Sequence, residues 1–80
     1  MKVTLRQRLL KTGRISLYLD HCPPIIHPES GKLTRWEYLN MYLYSPPRDE
    51  TEKRHNRDIE TLARSIAANR QLDRLAGKFG

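Results

Sequence analysis

The chain has 80 residues, 38% hydrophobic and 30% charged, with 15 Lys and Arg against 9 Asp and Glu for a net charge of +6. A chain this short buries only about 60% of its unfolded surface, which allows one domain with a thin core and excludes a large enzyme with its own deep cleft. A lone cysteine, Cys22, rules out an internal disulfide, and no apolar run nears the roughly 18 to 20 residues that span a bilayer, so a cytoplasmic domain without membrane contact is expected.

The first element is a strand over residues 3–9. Val3, Leu5 and Leu9 share one parity and Thr4, Arg6 and Arg8 the other, the period of two of a half-buried strand. Gly13, in the run 11–14 (KTGR), supplies the positive φ of a tight hairpin. A second alternation follows, with Ile15, Leu17 and Leu19 on one side and Arg14, Ser16, Tyr18 and Asp20 on the other, so the two segments pair antiparallel. Cys22-Pro23-Pro24 is expected to end this strand, because proline brings no amide hydrogen to a ladder. Residues 27–32 (HPESGK) form a turn cluster. The connection 21–35 is long for a hairpin in so small a domain; either it extends the flanking strands past the sheet, or it touches a polyanion through Lys32 and Arg35.

A third strand runs over about 34–44. Leu39, Met41 and Leu43 take one face, and Trp36, Tyr38, Asn40, Tyr42 and Tyr44 the other. Ser45-Pro46-Pro47 breaks it. Asp49 followed three residues later by Glu52 is a capping box opening a helix, and Gly77 is its natural stop. Ile59, Leu62, Ala63 and Ile66 form one apolar stripe. Ala68, Leu72 and Leu75 lie about 160–220° around from Ile59 and have nothing in this chain to cover them.

The expected fold is α+β: a three-stranded antiparallel β-sheet with one C-terminal α-helix packed on one face, in the order β-β-β-α, as a single domain over 1–80. Its core is expected to comprise Val3, Leu5, Leu9, Ile15, Leu17, Leu19, Leu39, Met41, Leu43, Ile59, Leu62 and Ile66.

The charge is placed unevenly. Residues 1–22 carry Lys2, Arg6, Arg8, Lys11 and Arg14 against one acid, Asp20, whereas the segment from Asp49 onward is nearly balanced. A localised basic face points to a polyanion. The sheet face away from the helix would show Thr4, Arg6, Arg8, Arg14, Ser16, Tyr18, Tyr38, Asn40 and Tyr42, with no acid until Asp20 at its edge. Arginine pairs bidentately with a guanine edge or a phosphate, asparagine with an adenine edge, and hydroxyls donate to phosphate oxygens. The plainer reading of the same residues is a solvated face with aromatic cross-strand pairs.

Nothing in the chain argues for catalysis, a cofactor or a small-molecule substrate. His21, Cys22 and His27 lack the second donor pair of a zinc site. His55, among Lys53, Arg54 and Arg57, reads as a solvated helix residue, and Asp49, Glu50 and Glu52 as acids favoured by the helix dipole.

The segments 14–20 (RISLYLD), 28–35 (PESGKLTR), 42–47 (YLYSPP) and 53–56 (KRHN), followed by the closing helix into 77–80 (GKFG), occur in that order over essentially the whole chain. Together they resemble the N-terminal arm-type DNA-binding domain of bacterial tyrosine recombinases, the integrases of phages and conjugative transposons. The resemblance implies a sheet that enters the major groove of arm sites flanking a mobile element. It also implies a parent chain in which core-binding and catalytic domains follow. The groove-facing positions it implies are Arg6, Arg8, Arg14, Ser16, Tyr18, Asn40 and Tyr42. The family's catalytic residues belong to the C-terminal domain, and Tyr18, Tyr38, Tyr42 and Tyr44 are not candidates for its tyrosine nucleophile.

Two rival functions stay open on the residues alone. One is a protein-interaction module using Ala68, Leu72 and Leu75. The other is an RNA or single-strand binder that stacks bases on the exposed rings.

Overall fold

A computed structural model describes residues 1–27 and 30–77. Pro28 and Glu29 of the turn cluster, and Lys78, Phe79 and Gly80 of the closing motif, lie outside the described residues. Strands β1 (Lys2–Leu9), β2 (Arg14–Ile26) and β3 (Leu33–Tyr44) form one antiparallel sheet in the order β1-β2-β3, and helix α1 (Glu50–Leu75) follows. This is the β-β-β-α arrangement that the alternation and the capping box predict. No helix among the described residues is long and apolar enough to cross a membrane.

The β1–β2 hairpin keeps register from Leu9↔Ile15 to Lys2↔Cys22, and Gly13 closes its turn at φ 86°. That value lies in the left-handed region, where glycine alone pays no Cβ penalty. The β2–β3 pairing is less regular. Between Leu17↔Met41 and Tyr18↔Tyr38, two extra residues of β3, Leu39 and Asn40, are inserted, and Asn40 takes φ 56°. Asparagine tolerates that region better than other side-chain-bearing residues, which gives it a backbone reason to interrupt a strand.

Strand β2 does not stop at its prolines, contrary to expectation. It runs on to Ile26, pairing Ile25 with Thr34 and Ile26 with Leu33. The prolines are tolerated because no ladder bond is asked of them. β1 ends opposite Cys22, and pairing with β3 skips from Asp20↔Trp36 to Ile25↔Thr34. The long connection therefore extends the strands, and a turn held by His27 N–H to Lys32 O at 2.8 Å joins them.

Helix α1 starts as the capping box predicts. Asp49 Oδ1 accepts from Glu52 N–H at 2.8 Å, and Glu52 Oε1 accepts from the Arg48 N–H at 3.0 Å. Gly77, at φ 73°, donates its N–H to Arg74 O just past the helix. The helix packs against β3 and β1, and two side-chain amides fasten it to the sheet. Asn56 Oδ1 accepts from Tyr44 N–H at 2.8 Å while its Nδ2 donates to Tyr44 O at 3.0 Å. At the opposite corner Gln71 Oε1 accepts from Val3 N–H at 2.8 Å, and its Nε2 donates to Met1 O at 3.2 Å.

Leu17, Leu43 and Ala63 form the buried centre, with Leu5, Ile15, Leu39, Met41 and Ile59 packed against it; Leu19 and Ile25 are also buried. Burying a leucine fully contributes roughly 2 kcal/mol. Four expected core residues are not in it: Val3 and Ile66 are only partly buried, Leu9 is 69% exposed and Leu62 49%. The helix turns Ala63 to the sheet rather than Leu62, and alanine permits the closer approach. Leu9 falls at the open end of the edge strand, beyond the helix.

Beneath the sheet, on the helix side, lies a polar cluster that alternation did not reveal. His21 is fully buried, with Arg74 Nη1 facing its Nδ1 at 3.2 Å and Glu37 Oε1 facing its Nε2 at 2.9 Å. Because a guanidinium only donates, Nδ1 accepts and the ring hydrogen sits on Nε2. Arg70 Nε donates to both Glu37 oxygens, at 2.9 and 3.1 Å. The cluster ties the last turns of α1 to β2 and β3.

Candidate nucleic-acid interface

The register stacks the helix-free face into cross-strand rows. From the β1 end they are Thr4, Asp20 and Trp36; then Arg6, Tyr18 and Tyr38; then Arg8, Ser16 and Tyr42; and last Arg14 with Tyr44. Arginines thus line β1 and the start of β2, and rings line β3. The two extra residues at Leu39 and Asn40 preserve parity, which is why Trp36 and Tyr38 stay on the same face as Tyr42 and Tyr44.

The rings touch one another. Tyr18 meets Trp36 edge-to-face with centroids 5.8 Å apart and an interplanar angle of 83°, and meets Tyr38 at 5.5 Å. Such pairs stabilise by about 0.5–1.5 kcal/mol beyond their buried area. Arg14 lies over the Tyr44 ring at 5.4 Å and Arg35 over Trp36 at 5.0 Å. Trp36, Tyr38 and Tyr42 remain exposed.

The expected site residues fare differently. Arg8, Arg14 and Tyr42 are exposed on this face, and Tyr18 is half-buried between Trp36 and Tyr38; Asn40 is exposed too, but it sits in the insertion of β3 and belongs to none of the cross-strand rows. Ser16 lies on the face by register but is only 7% exposed between its partners Arg8 and Tyr42, so its hydroxyl is poorly placed to reach a groove. Arg6 is about half exposed, and its Nε donates to Asp20 Oδ2 at 2.7 Å.

Asp20 is the largest correction on this face. The acid expected at the edge stands on the central strand and is 4% exposed. Arg35 closes over it from the other side, donating from Nε to Oδ1 at 3.2 Å and from Nη2 to Oδ1 and Oδ2 at 3.1 and 3.2 Å. The Arg6 hydrogen bond holds the Asp20 carboxyl below its ordinary pKa; burial opposes this, and the Arg35 hydrogen bonds and the two positive charges add to it. The face therefore presents cations outward with its one central acid covered. Arg35, assigned to a connection by sequence, is a member of this face. The signal for it was the diagonal relation of Arg6 and Asp20 across the hairpin, which becomes visible once the register is known.

His55 is an exposed helix residue, as expected, but it also touches β3. Its Nε2 lies 2.9 Å from Tyr42 O, and its ring meets Tyr44 at 5.1 Å. Among the described residues no group of three or more His, Cys, Asp or Glu is arranged to hold a metal ion. His21 points under the sheet while Cys22 is exposed.

Comparison with models of known protein families, with characterised proteins and with solved structures finds no match to this chain.

Proposed function

We propose that the chain binds double-stranded DNA through the sheet face opposite α1, as a non-catalytic module that anchors a tyrosine recombinase at arm-type sites during integration of a mobile element. The observation that carries this reading is the face itself. Arg6, Arg8, Arg14 and Arg35 lie among Tyr18, Trp36, Tyr38, Tyr42 and Tyr44, α1 meets this set at its Tyr42 and Tyr44 edge through His55 and Asn56, and the central acid is shielded. Three strands about 4.8 Å apart span about 10 Å of backbone, against a major groove about 12 Å wide. The order of the quoted motifs and the β-β-β-α fold support the arm-type assignment. In this reading Lys2, Lys11 and Arg8 neutralise phosphates, while Arg6, Arg14 and Asn40 face base edges. Core-binding and catalytic domains of the same parent chain would perform the chemistry.

The test is an amide chemical-shift titration with duplexes from DNA flanking the gene, at about 50 and 200 mM salt, with a scrambled duplex and a single strand as controls. Shifts gathered at residues 4–18 and 35–44, weaker at high salt and larger for the flanking duplex, are expected. Arg6→Ala and Arg14→Ala should each weaken binding by about 1–3 kcal/mol where the side chain meets a base edge. A silent sheet face with every duplex overturns the proposal.

A second reading rests on Leu72 and Leu75, which are 63% and 67% exposed opposite the buried side of α1. Here the helix docks on another protein or domain. Binding of that kind tolerates salt, whereas phosphate contacts do not.

A further inference from the structure

The geometry points to Asp20 as a positioning residue that aims Arg6 at a guanine edge in the major groove, an inference that rests on the DNA-binding reading above. Arg6 and Arg35 share one carboxylate but use it differently. Arg35 gives it both Nε and Nη2 and lays its guanidinium over Trp36, so its Nε–Nη2 edge is taken by the carboxylate and its plane by the ring. Arg6 gives only Nε and makes no other hydrogen bond among the described residues. Its two terminal nitrogens are left to a half-exposed side chain on the edge strand β1, in the row of Tyr18 and Tyr38. A guanidinium held by its Nε and free at its two Nη groups presents the fork that pairs with O6 and N7 of guanine.

Why guanine rather than phosphate follows from charge and order. A phosphate is drawn to any cation, needs no fixed fork, and is repelled by a carboxylate beside that cation. A base edge is uncharged, so the neighbouring Asp20 costs it little, while the fixed rotamer removes an ordering cost otherwise met on binding. Asp20 itself is too covered to contact a base. Arg8, with no such carboxylate partner among the described residues, keeps the looser role of meeting phosphate.

The experiment selects duplexes from a library with a randomised centre, using the full chain, and repeats the selection with Asp20→Asn, Arg6→Lys and Arg6→Ala. Wild type should select an invariant G·C pair, and replacing its guanine with 7-deazaguanine should weaken binding by about tenfold. Asp20→Asn should bind random duplexes as tightly or more tightly, having lost a negative charge, yet lose most of the discrimination at that pair. Arg6→Lys keeps the charge without the fork and should also lose it, which preserves the test if Asp20→Asn does not fold. Arg6→Ala should make 7-deazaguanine indistinguishable from guanine. A wild type with no sequence preference overturns the DNA-reading proposal and this inference with it. A wild type that selects a sequence which folded Asp20→Asn or Arg6→Lys selects equally well overturns the inference alone.

Discussion

A carboxylate that accepts from two guanidinium groups gives up its charge less readily than one in water, and Asp20 is so placed. Its folded pKa lies below the ordinary 3.8 chiefly because of the Arg6 hydrogen bond. The unfolded chain therefore takes up that proton first on acidification. The stabilisation from Asp20 is complete above about pH 3.8 and is lost as pH falls through the lower folded value. A urea midpoint measured from pH 6 to pH 2.5 should fall in that acid range, and Asp20→Asn should remove part of the fall. An equal acid slope in the two proteins would exclude this role. At the same scale, Arg74→Ala removes the buried guanidinium that donates to Nδ1 of His21, at a cost of about 1–3 kcal/mol in urea denaturation. His21→Leu together with Arg74→Met should recover part of that cost, because both facing polar groups are replaced at once while Glu37 keeps its bonds from Arg70.

Among the elements, α1 has the plainest single-residue dependence. Asp49 satisfies the amide of Glu52, so Asp49→Ala should lower stability by about 1 kcal/mol, and Asp49→Asn by less, since its amide oxygen accepts the same bond. Denaturation followed by far-ultraviolet circular dichroism reads both. The cap was legible because it depends on two side chains three residues apart. The strand faces were legible for a similar reason, since parity is a local property. What local pattern cannot show is pairing. Cys22-Pro23-Pro24 reads as a strand end until the partner strands are seen to ask nothing of those amides. Leu62 and Ala63 both fit an apolar stripe, and only the helix's rotation on the sheet selects the smaller one. Asn40 reads as an adenine contact from composition and as a left-handed insertion from the backbone. Asp20 and Arg35 lie 15 residues apart, and their union with Arg6 depends on the register of both hairpins.

At the scale of the molecule, the two surfaces carry separable tests. Leu72 and Leu75 lie on the side of α1 away from the sheet, and nothing in the fold rests on them. The pair Leu72→Lys and Leu75→Lys should change stability by less than about 0.5 kcal/mol and leave the duplex-induced shifts on β1–β3 in place. Loss of those shifts would move the interface from the sheet to the helix. Arg8→Ala, on the other face, should reduce the salt slope of duplex binding by about one ion, as removal of one phosphate contact requires. The candidate face was readable as a set of residue types on one parity. The order within it, with arginines on β1, rings on β3 and a covered acid between, came only with the strand pairing.

The amides of Asn56 and Gln71 have a mechanical consequence. They grip opposite corners of the sheet from points 15 residues apart on α1, about 22 Å along its axis. Asn56 makes two bonds to the backbone of β3, and Gln71 one to β1 and one to Met1 just before it, so the helix is bolted at both ends rather than hinged at one. A pull along its axis loads both fastenings at once, in shear. A sideways pull on the last turn must first break the Gln71 bonds and the Arg74–His21 contact before it can peel the rest. Tension on the helix therefore reaches the sheet as movement of the whole body, and a face docked in a groove would feel it without first losing its shape.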